Sequence, residues 1–316
     1  MSDLLFARNS PSSRILIVRI NGMKEKRKDI IAEYYDSVAD NYRKQYSSED
    51  LSTAEKYPQN YCRLQLLAQR IPDHAQKVYE IGTGEGTPLA ILARMGYEVY
   101  GCDISENMVG KTKQNLQSAG VNDQNVQVAN VEDILTFSNQ LALGPYDALV
   151  AFGVMPHVKK DLLVLRNMRR LIKKEGKVFI EFRNKLFSLF TFNRLTKEFI
   201  LDDLLEGVSP DLKNLLSMEL DKRVNLNLPE IHQPDSGPSY DLIPAKYHNP
   251  FEVVDLLAES GFVNPKIHWY HYHAAPPCIE TENRALYWEE SMKLEHSSSW
   301  RGYFLCSAFV VEADAC

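Results

Sequence analysis

The stretch that decides the fold is KVYEIGTGEGTPLAILARMGYEVYGCDIS, from Lys77 to Ser105. A short apolar run contains an acid, Glu80, and the turn that follows has a glycine at every second position, 82, 84 and 86. A helical pattern comes next, and a second strand-like run ends at Asp103. This order predicts a strand, a helix and a parallel strand, with a ligand held at the glycine turn.

Strand and helix patterns alternate outward from this unit. Strands are predicted at 77–81, 98–103, 126–130, 148–152 and 177–182, with helical patterns of about ten to fifteen residues between them. Such alternation is typical of an α/β fold, a doubly wound and mostly parallel sheet with helices on both faces. After the fifth strand the rhythm breaks, and a helix at 250–260, a strand at 266–273, a helix near 282–296 and a strand at 302–312 follow.

Five segments are predicted from these changes in pattern. The long segment that interrupts the alternation after the fifth strand is interpreted as a helical insertion that covers a cleft, because it lies between strand-like segments. The segments are an N-terminal arm at 1–28, an N-terminal helical cap at 29–76, a ligand-binding core at 77–182, a helical lid at 183–250, and a C-terminal helix with an antiparallel strand pair at 251–316.

Composition narrows the classes of partner. The 36 Lys and Arg residues against 42 Asp and Glu give a net charge of -6, and no long basic run occurs, which disfavours a nucleic-acid partner. No apolar stretch approaches the roughly 20 residues of a membrane helix. The five scattered cysteines include no C-x-x-C pair, and the first residues lack the pattern of a secretory signal. We therefore expect a cytoplasmic protein without a membrane span.

The spacing of the glycines separates two kinds of nucleoside ligand. A carboxylate such as Asp103 at the end of the second strand can accept hydrogen bonds from both hydroxyls of a ribose. The dinucleotide fingerprint is G-x-G-x-x-G, whereas this turn reads G-x-G-x-G and has Glu80 two residues before it. Glu80 would repel a pyrophosphate but attract an ammonium or sulfonium, so a cationic ligand is favoured.

These motifs, YEIGTGEG, VYGCDIS and YDALVAFGVMPHV, resemble those of class I S-adenosylmethionine-dependent methyltransferases. The resemblance implies S-adenosylmethionine as cofactor, S-adenosylhomocysteine as product, and a seven-stranded Rossmann-like sheet of order 3-2-1-4-5-7-6 with an antiparallel last strand. The C-terminal runs YHNPFEVVDLLAESGFVNPKIHWYHYHAAPP and WRGYFLCSAFVVEA also resemble methyltransferases of bacterial glycan biosynthesis. They imply a small polar acceptor such as a sugar, a sugar nucleotide or other glycan precursor, or an amino group.

The resemblance assigns cofactor contacts by position. Glu80 would contact the amino group, the backbone of the glycine turn would line the methionyl part, and Asp103 would bind the ribose. Asn130 stands where the family more often has Asp. The implied cofactor-binding residues are Glu80, Gly82, Thr83, Gly84, Gly86, Asp103, Ile104, Met108, Asn130, Val131, Glu132, Phe152, Gly153 and Tyr42, the last on a tyrosine-rich helix that would close over the cofactor.

Candidates for catalysis follow the fourth and fifth strands. His157 is expected to be a base or orienting group for the acceptor, with capping of the next helix as the alternative. Arg183 is expected to hold a polar acceptor at the same rim, with a solvated surface charge as the alternative. His271 and His273 share a strand face and could ligate a metal, but no acid nearby completes such a site, so acceptor lining or a structural role is favoured and no metal is predicted.

Three hypotheses follow. The first is a methyltransferase acting on an oxygen or nitrogen of a small polar acceptor, with the insertion selecting it. The second is an NAD(P)-dependent oxidoreductase, and the third is a non-catalytic binding module with a methyltransferase-like fold. The aromatic residues of the insertion fit either a lid or a homodimer contact.

Overall fold

A computed structural model describes residues 57–224, 245–280, 282–295 and 298–316. The predicted N-terminal arm and the greater part of the predicted helical cap, including Tyr42, lie outside the described residues.

The described chain forms one seven-stranded sheet of order β3-β2-β1-β4-β5-β7-β6. The first five strands pair in parallel, and β7 runs antiparallel to both β5 and β6. Both features confirm the predicted sheet. The strands are β1 (Lys77–Ile81), β2 (Glu98–Asp103), β3 (Val126–Val128), β4 (Tyr146–Ala151), β5 (Ile172–Arg183), β6 (Phe262–Tyr272) and β7 (Cys306–Ala315).

Helices cover both faces of the sheet, as the alternation of the sequence predicts. The α-helices are α1 (Gln59–Ala68), α2 (Thr87–Arg94), α3 (Glu106–Ser118), α4 (Ser138–Leu143), α5 (Asp161–Leu171), α6 (Arg194–Glu198), α7 (Pro210–Arg223), α8 (Pro250–Glu259), α9 (Arg284–Leu294) and α10 (Gly302–Leu305). Shorter 3₁₀ turns lie at Ile134–Phe137, Met155–His157, Leu186–Phe190 and Pro277–Ile279, and a π-helical turn at Phe199–Leu204.

The central strands bury side chains on both faces. Leu149 of β4 packs into one hydrophobic cluster, and its neighbours Ala148 and Val150 pack into the other. Because successive side chains of a strand point to opposite faces, a strand between two helical layers needs apolar residues throughout. This explains why YDALVA reads as a continuous apolar run with one acid near its edge.

The last strand begins later than the sequence predicts. Residues Gly302–Leu305 form a short helix, and β7 begins at Cys306. A Cβ atom at Gly302 would lie 2.3 Å from Cγ of Trp269, so the glycine lets this turn approach β6 closely. The tertiary contact with Trp269 thus decides the local structure.

The insertion begins and ends at the carboxyl edge of the sheet. The backbone N–H of His248 donates to the carbonyl of Arg183 at 2.7 Å, and that of Lys246 donates to Pro156 at 2.7 Å. The insertion therefore leaves from β5 and returns beside the turn that follows β4. Among the described residues, no helix has the length and apolar character that crossing a membrane requires.

Candidate functional site

A cavity of about 130 Å³ opens at the carboxyl ends of β1, β2 and β4. This is the edge at which ligands bind in open α/β sheets. The lining residues are Arg63, Glu80, Ile81, Gly82, Thr83, Gly84, Cys102, Asp103, Ile104, Ala129, Asn130, Val131, Glu132, Phe152, Gly153, Val154, His157, Val158 and Lys159.

The glycine turn has a backbone that other residues would strain. Gly82 has a φ of 76°, and a Cβ atom there would lie 2.7 Å from Cγ2 of Val154. Its N–H and that of Thr83 both donate to the carbonyl of Cys102, at 2.8 and 3.1 Å. The turn is therefore tied to the end of β2 and leaves its backbone close to the cavity.

Asp103 is fixed by backbone donors on either side. Its Oδ2 accepts from the N–H of Gly84 at 2.9 Å, and its Oδ1 accepts from the N–H of Ser105 at 2.9 Å. Ser105 in turn caps α3 by accepting from the N–H of Met108 at 3.1 Å. The carboxylate is thereby held rigidly at the cavity wall, in the position that the sequence assigns to a ribose contact.

Glu80 is a buried acid with an unsatisfied oxygen. Its side chain is 2% exposed, and Oε2 has no hydrogen-bond partner. Burial raises the pKa of Glu80 well above its ordinary value, the nearby Glu85 and Asp103 raise it further, and Arg63 opposes the shift. A cationic group in the cavity would satisfy this oxygen and favour the ionised carboxylate.

Arg63 is a lining residue that the sequence reasoning missed. Its guanidinium pairs with the buried carboxylate of Glu181 and lies 5.0 Å from the centre of the Phe152 ring. Glu181 also accepts from the N–H of Gly153 at 2.6 Å and from the hydroxyl of Tyr270. The only sequence signal is an arginine within an amphipathic helix, and that does not reveal which strand it meets.

The cavity offers different chemistry along the strand order β1, β2, β3. Glu80 of β1 and Arg63 of α1 line the first part, an acid and a cation suited to an amino acid zwitterion. Asp103 at β2 suits hydroxyl groups, and apolar side chains beyond β3 suit a flat base. S-adenosylmethionine carries its aminoacyl end, ribose and adenine in this same sequence, so the residues present fit that group.

Beyond β3, Asn130 offers a donor. Its Oδ1 accepts from the N–H of Glu132 at 3.1 Å, which orients the amide, and the buried Nδ2 has no partner. Glu132 is used structurally, because its Oε1 accepts from the N–H groups of Lys159 and Lys160. Asn130 therefore presents an N–H where the implied family position more often has a carboxylate.

The structure brings together Glu80, Gly82, Thr83, Gly84, Asp103, Ile104, Asn130, Val131, Glu132, Phe152, Gly153 and His157 of the predicted residues. Of the predicted residues that the structure describes, three lie outside this lining. Gly86 packs against α3, where its Cβ would lie 2.8 Å from Thr112, and Met108 is fully buried below the surface. Arg183, predicted at the acceptor rim, lies near His271 and contributes to lowering its pKa, after burial and His273.

His157 occupies the 3₁₀ turn that follows β4 and lines the cavity beside Val158. The predicted pair His271 and His273 does come together, with ring centres 4.8 Å apart, away from this cavity. Among the described residues, no cluster of three or more His, Cys, Asp or Glu side chains is placed to hold a metal ion.

Residues 79–180 match the methyltransferase domain family. Over 148 residues the chain is 28% identical to a ubiquinone biosynthesis O-methyltransferase of Coxiella burnetii, a match that spans 47% of this chain and 61% of that relative. Over 191 residues it is 27% identical to a ubiquinone biosynthesis O-methyltransferase of Dechloromonas aromatica, which spans 60% of this chain and 78% of the relative.

One solved structure similar to this chain is the magnesium protoporphyrin IX methyltransferase of Synechocystis with bound S-adenosylhomocysteine, at 16% identity and a TM-score of 0.49, covering 92% of this chain and 100% of that one. The sequence matches, the sheet order and the glycine turn with its two acids agree with one another. Residues 79–180 therefore match a methyltransferase domain, and the residues at the carboxyl ends of its strands fit S-adenosylmethionine.

Proposed function

We propose that the whole chain transfers a methyl group from S-adenosylmethionine to an oxygen atom of a small polar acceptor. The observation that carries this proposal is the unsatisfied Oε2 of buried Glu80, which stands at the glycine turn beside the fixed carboxylate of Asp103. The printed names of the relatives, O-methyltransferases, favour oxygen over nitrogen as the acceptor atom.

The residues of this chain would divide the work of holding the cofactor. Glu80 would accept from its ammonium, Arg63 would pair with its carboxylate, and Asp103 would accept from the ribose hydroxyls. When bound, the cofactor supplies an electrophilic methyl group on a positively charged sulfur, so the protein needs to provide mainly alignment.

His157 is the proposed group for the acceptor's proton. It lines the cavity next to Gly153, on the turn after β4. An alcohol becomes a better nucleophile when a base takes its proton during attack, and a neutral imidazole at this wall could do so. As the new carbon–oxygen bond forms and the carbon–sulfur bond breaks, the hydroxyl proton would pass to His157.

The acceptor is proposed to enter beneath the insertion at 183–250. Its last residues close it, because the N–H of His248 donates to Arg183 at its beginning and the N–H of Lys246 donates to Pro156 in the turn that carries His157. A sugar hydroxyl, favoured by the resemblance of the C-terminal runs, and a phenolic hydroxyl, favoured by the names of the relatives, are both consistent with this location.

Calorimetric titration with S-adenosylmethionine, S-adenosylhomocysteine and NAD tests the cofactor part of the proposal. We expect micromolar binding of both adenosyl ligands and none of NAD. Well-folded protein that binds neither adenosyl ligand would refute the proposal, and NAD binding would revive the oxidoreductase. Transfer of a radiolabelled methyl group to sugar and phenol panels would then identify the acceptor class, and labelled amines alone would favour N-methylation.

A further inference from the structure

A second, smaller space lies at the end of β6, apart from the cofactor cavity. Its volume is about 10 Å³, which admits one water-sized group. We refer to it as the His273 chamber. Its described lining residues are Tyr57, His271, Tyr272, His273, Glu280, Tyr287 and Trp288.

Hydrogen bonds on one side fix the tautomer of His273. The hydroxyl of Tyr287 donates to the carbonyl of Ala275 at 3.0 Å, so its oxygen must accept from Nδ1 of His273, 2.8 Å away. The proton of the neutral ring is therefore on Nδ1, and Nε2 carries a lone pair. Burial lowers the pKa of His273 to about 3, which keeps the ring neutral.

Within the described residues, no group donates to this lone pair. His273 is 4% exposed, and its Nε2 makes no hydrogen bond. A buried acceptor without a donor costs free energy, about 1–3 kcal/mol, so such an atom is normally satisfied by a ligand or by water. The chamber therefore has one place for a hydrogen-bond donor.

The other walls are mainly aromatic. The ring of Phe187, from the insertion, lies 4.6 Å from that of His273, and Tyr57 stacks on His271 at 5.1 Å. The acid Glu280 accepts from the indole N–H of Trp288 at 2.9 Å, so this carboxylate is already engaged. A neutral hydroxyl suits these walls better than an ion, because burying an ion here would cost more.

Two structural connections relate the chamber to the cofactor cavity. Tyr57 of the chamber lies two residues before α1, and Arg63 of the cavity lies within α1. Tyr270, next to His271 on β6, donates to Glu181, which holds the N–H of Gly153 at the cavity. The chamber and the cofactor cavity are thus linked through α1 and through Glu181.

We propose that the His273 chamber is a subsite for the acceptor, which binds one hydroxyl group distant from the methylated oxygen by donation to Nε2 of His273. This inference rests on the proposed function, since it assigns part of the acceptor. The acceptor would then be a molecule with at least two hydroxyl groups, of which the chamber selects one and the cavity methylates another.

The test follows the two nitrogens of His273 by NMR of protein labelled with ¹⁵N-histidine, saturated with S-adenosylhomocysteine. Phenol and methyl α-glucoside serve as hydroxyl probes from the two acceptor classes, and toluene serves as the control without a hydroxyl. We expect the Nε2 resonance to move toward the hydrogen-bonded position with one of the hydroxyl probes and not with toluene. If neither probe moves it, the chamber holds a structural water and the proposal fails.

Three variants make the result specific. In His273→Phe, which keeps a ring, affinity for the active probe should fall about tenfold, the value of one hydrogen bond. In His268→Phe, the same exchange outside the chamber on β6, affinity should not change. Tyr287→Phe should move the proton from Nδ1 toward Nε2, and an unchanged tautomer would contradict the assignment of the lone pair.

Binding of S-adenosylhomocysteine is measured on every variant. If wild-type protein does not bind S-adenosylhomocysteine, the proposed function fails. If it binds S-adenosylhomocysteine but the Nε2 resonance responds to neither hydroxyl probe, the subsite alone fails. If His273→Phe fails to fold, the Tyr287→Phe measurement still decides whether Nε2 is the acceptor.

Discussion

Arg63 and Glu181 form a buried ion pair that joins α1 to the end of β5, with side chains 8% and 10% exposed. The same carboxylate holds the N–H of Gly153 at 2.6 Å, and the same guanidinium lines the cofactor cavity. One contact thus links the stability of α1 to the geometry of the turn after β4.

Removing one partner of this pair should destabilise the protein strongly. We expect Arg63→Met to lower the free energy of unfolding by about 3 kcal/mol or more, because it leaves the Glu181 charge buried and unpaired. The double variant Arg63→Met with Glu181→Gln should recover part of the loss. Urea unfolding of both single variants and the double variant measures this coupling, and purely additive losses would show that the pair contributes no interaction of its own.

Asp103 should control cofactor affinity. We expect Asp103→Ala to weaken binding of S-adenosylhomocysteine at least about tenfold, since the carboxylate and the backbone bonds that it accepts are lost together. Asp147→Ala is the matched control, because its carboxylate also accepts two backbone N–H groups, from Gln76 and Lys77. Asp147 is not among the residues that line the cavity. Calorimetry should give equal affinity for this control and wild type, and equal losses in both variants would make the effect structural.

Gly82 should tolerate no side chain unless Val154 is shortened. Gly82→Ala carries the cost of a side chain at a positive φ, and it also places a Cβ atom 2.7 Å from Cγ2 of Val154. Gly120→Ala has a similar φ of 71° with nothing within 4 Å, so it isolates the backbone cost of about 1 kcal/mol. Thermal unfolding should show a larger loss for Gly82→Ala, and Val154→Ala should restore part of it. Equal losses at the two glycines would rule out the clash.

Glu295 should give the protein a pH-dependent stability. Its carboxyl accepts from the hydroxyl of Tyr57 at 2.5 Å and from the N–H groups of His271 and Tyr272, while burial raises its pKa to about 7. The folded state therefore holds the proton more tightly than the unfolded state. The stability that protonation of Glu295 contributes to the folded state is fully present below the ordinary pKa of a glutamate, 4.5. It is lost as pH rises toward 7.

The loss over this window is on the order of 3 kcal/mol, because each pKa unit corresponds to about 1.4 kcal/mol. Urea unfolding of wild type and Glu295→Gln between pH 4.5 and 8 isolates the contribution as the difference between two curves. Glu80, whose pKa is also raised, is common to both proteins and cancels. A difference that does not vary with pH would show that Glu295 keeps its ordinary pKa.

Local patterns in the sequence predicted the strands, the glycine turn and its two acids, whereas the sheet order and most other lining residues were implied by the resemblance to methyltransferases. The glycine turn, the acid two residues before it and Asp103 lie within one βαβ unit, where strand geometry dictates that they meet at one edge. Tyr146–Ala151 and its neighbours could be located because a strand buried on both faces needs a continuous apolar run.

Only the tertiary structure decided which distant segments contact one another. Arg63 reaches Glu181 across 118 positions of sequence, and His273 is oriented by Tyr287 of a separate helix. Arg183 and Gly86 are not among the residues that line the cavity, and the sequence does not show that Arg183 lies near His271 or that Gly86 packs against Thr112. Local spacing thus determined the nucleoside end of the site, while packing between elements determined its charged wall and the second chamber.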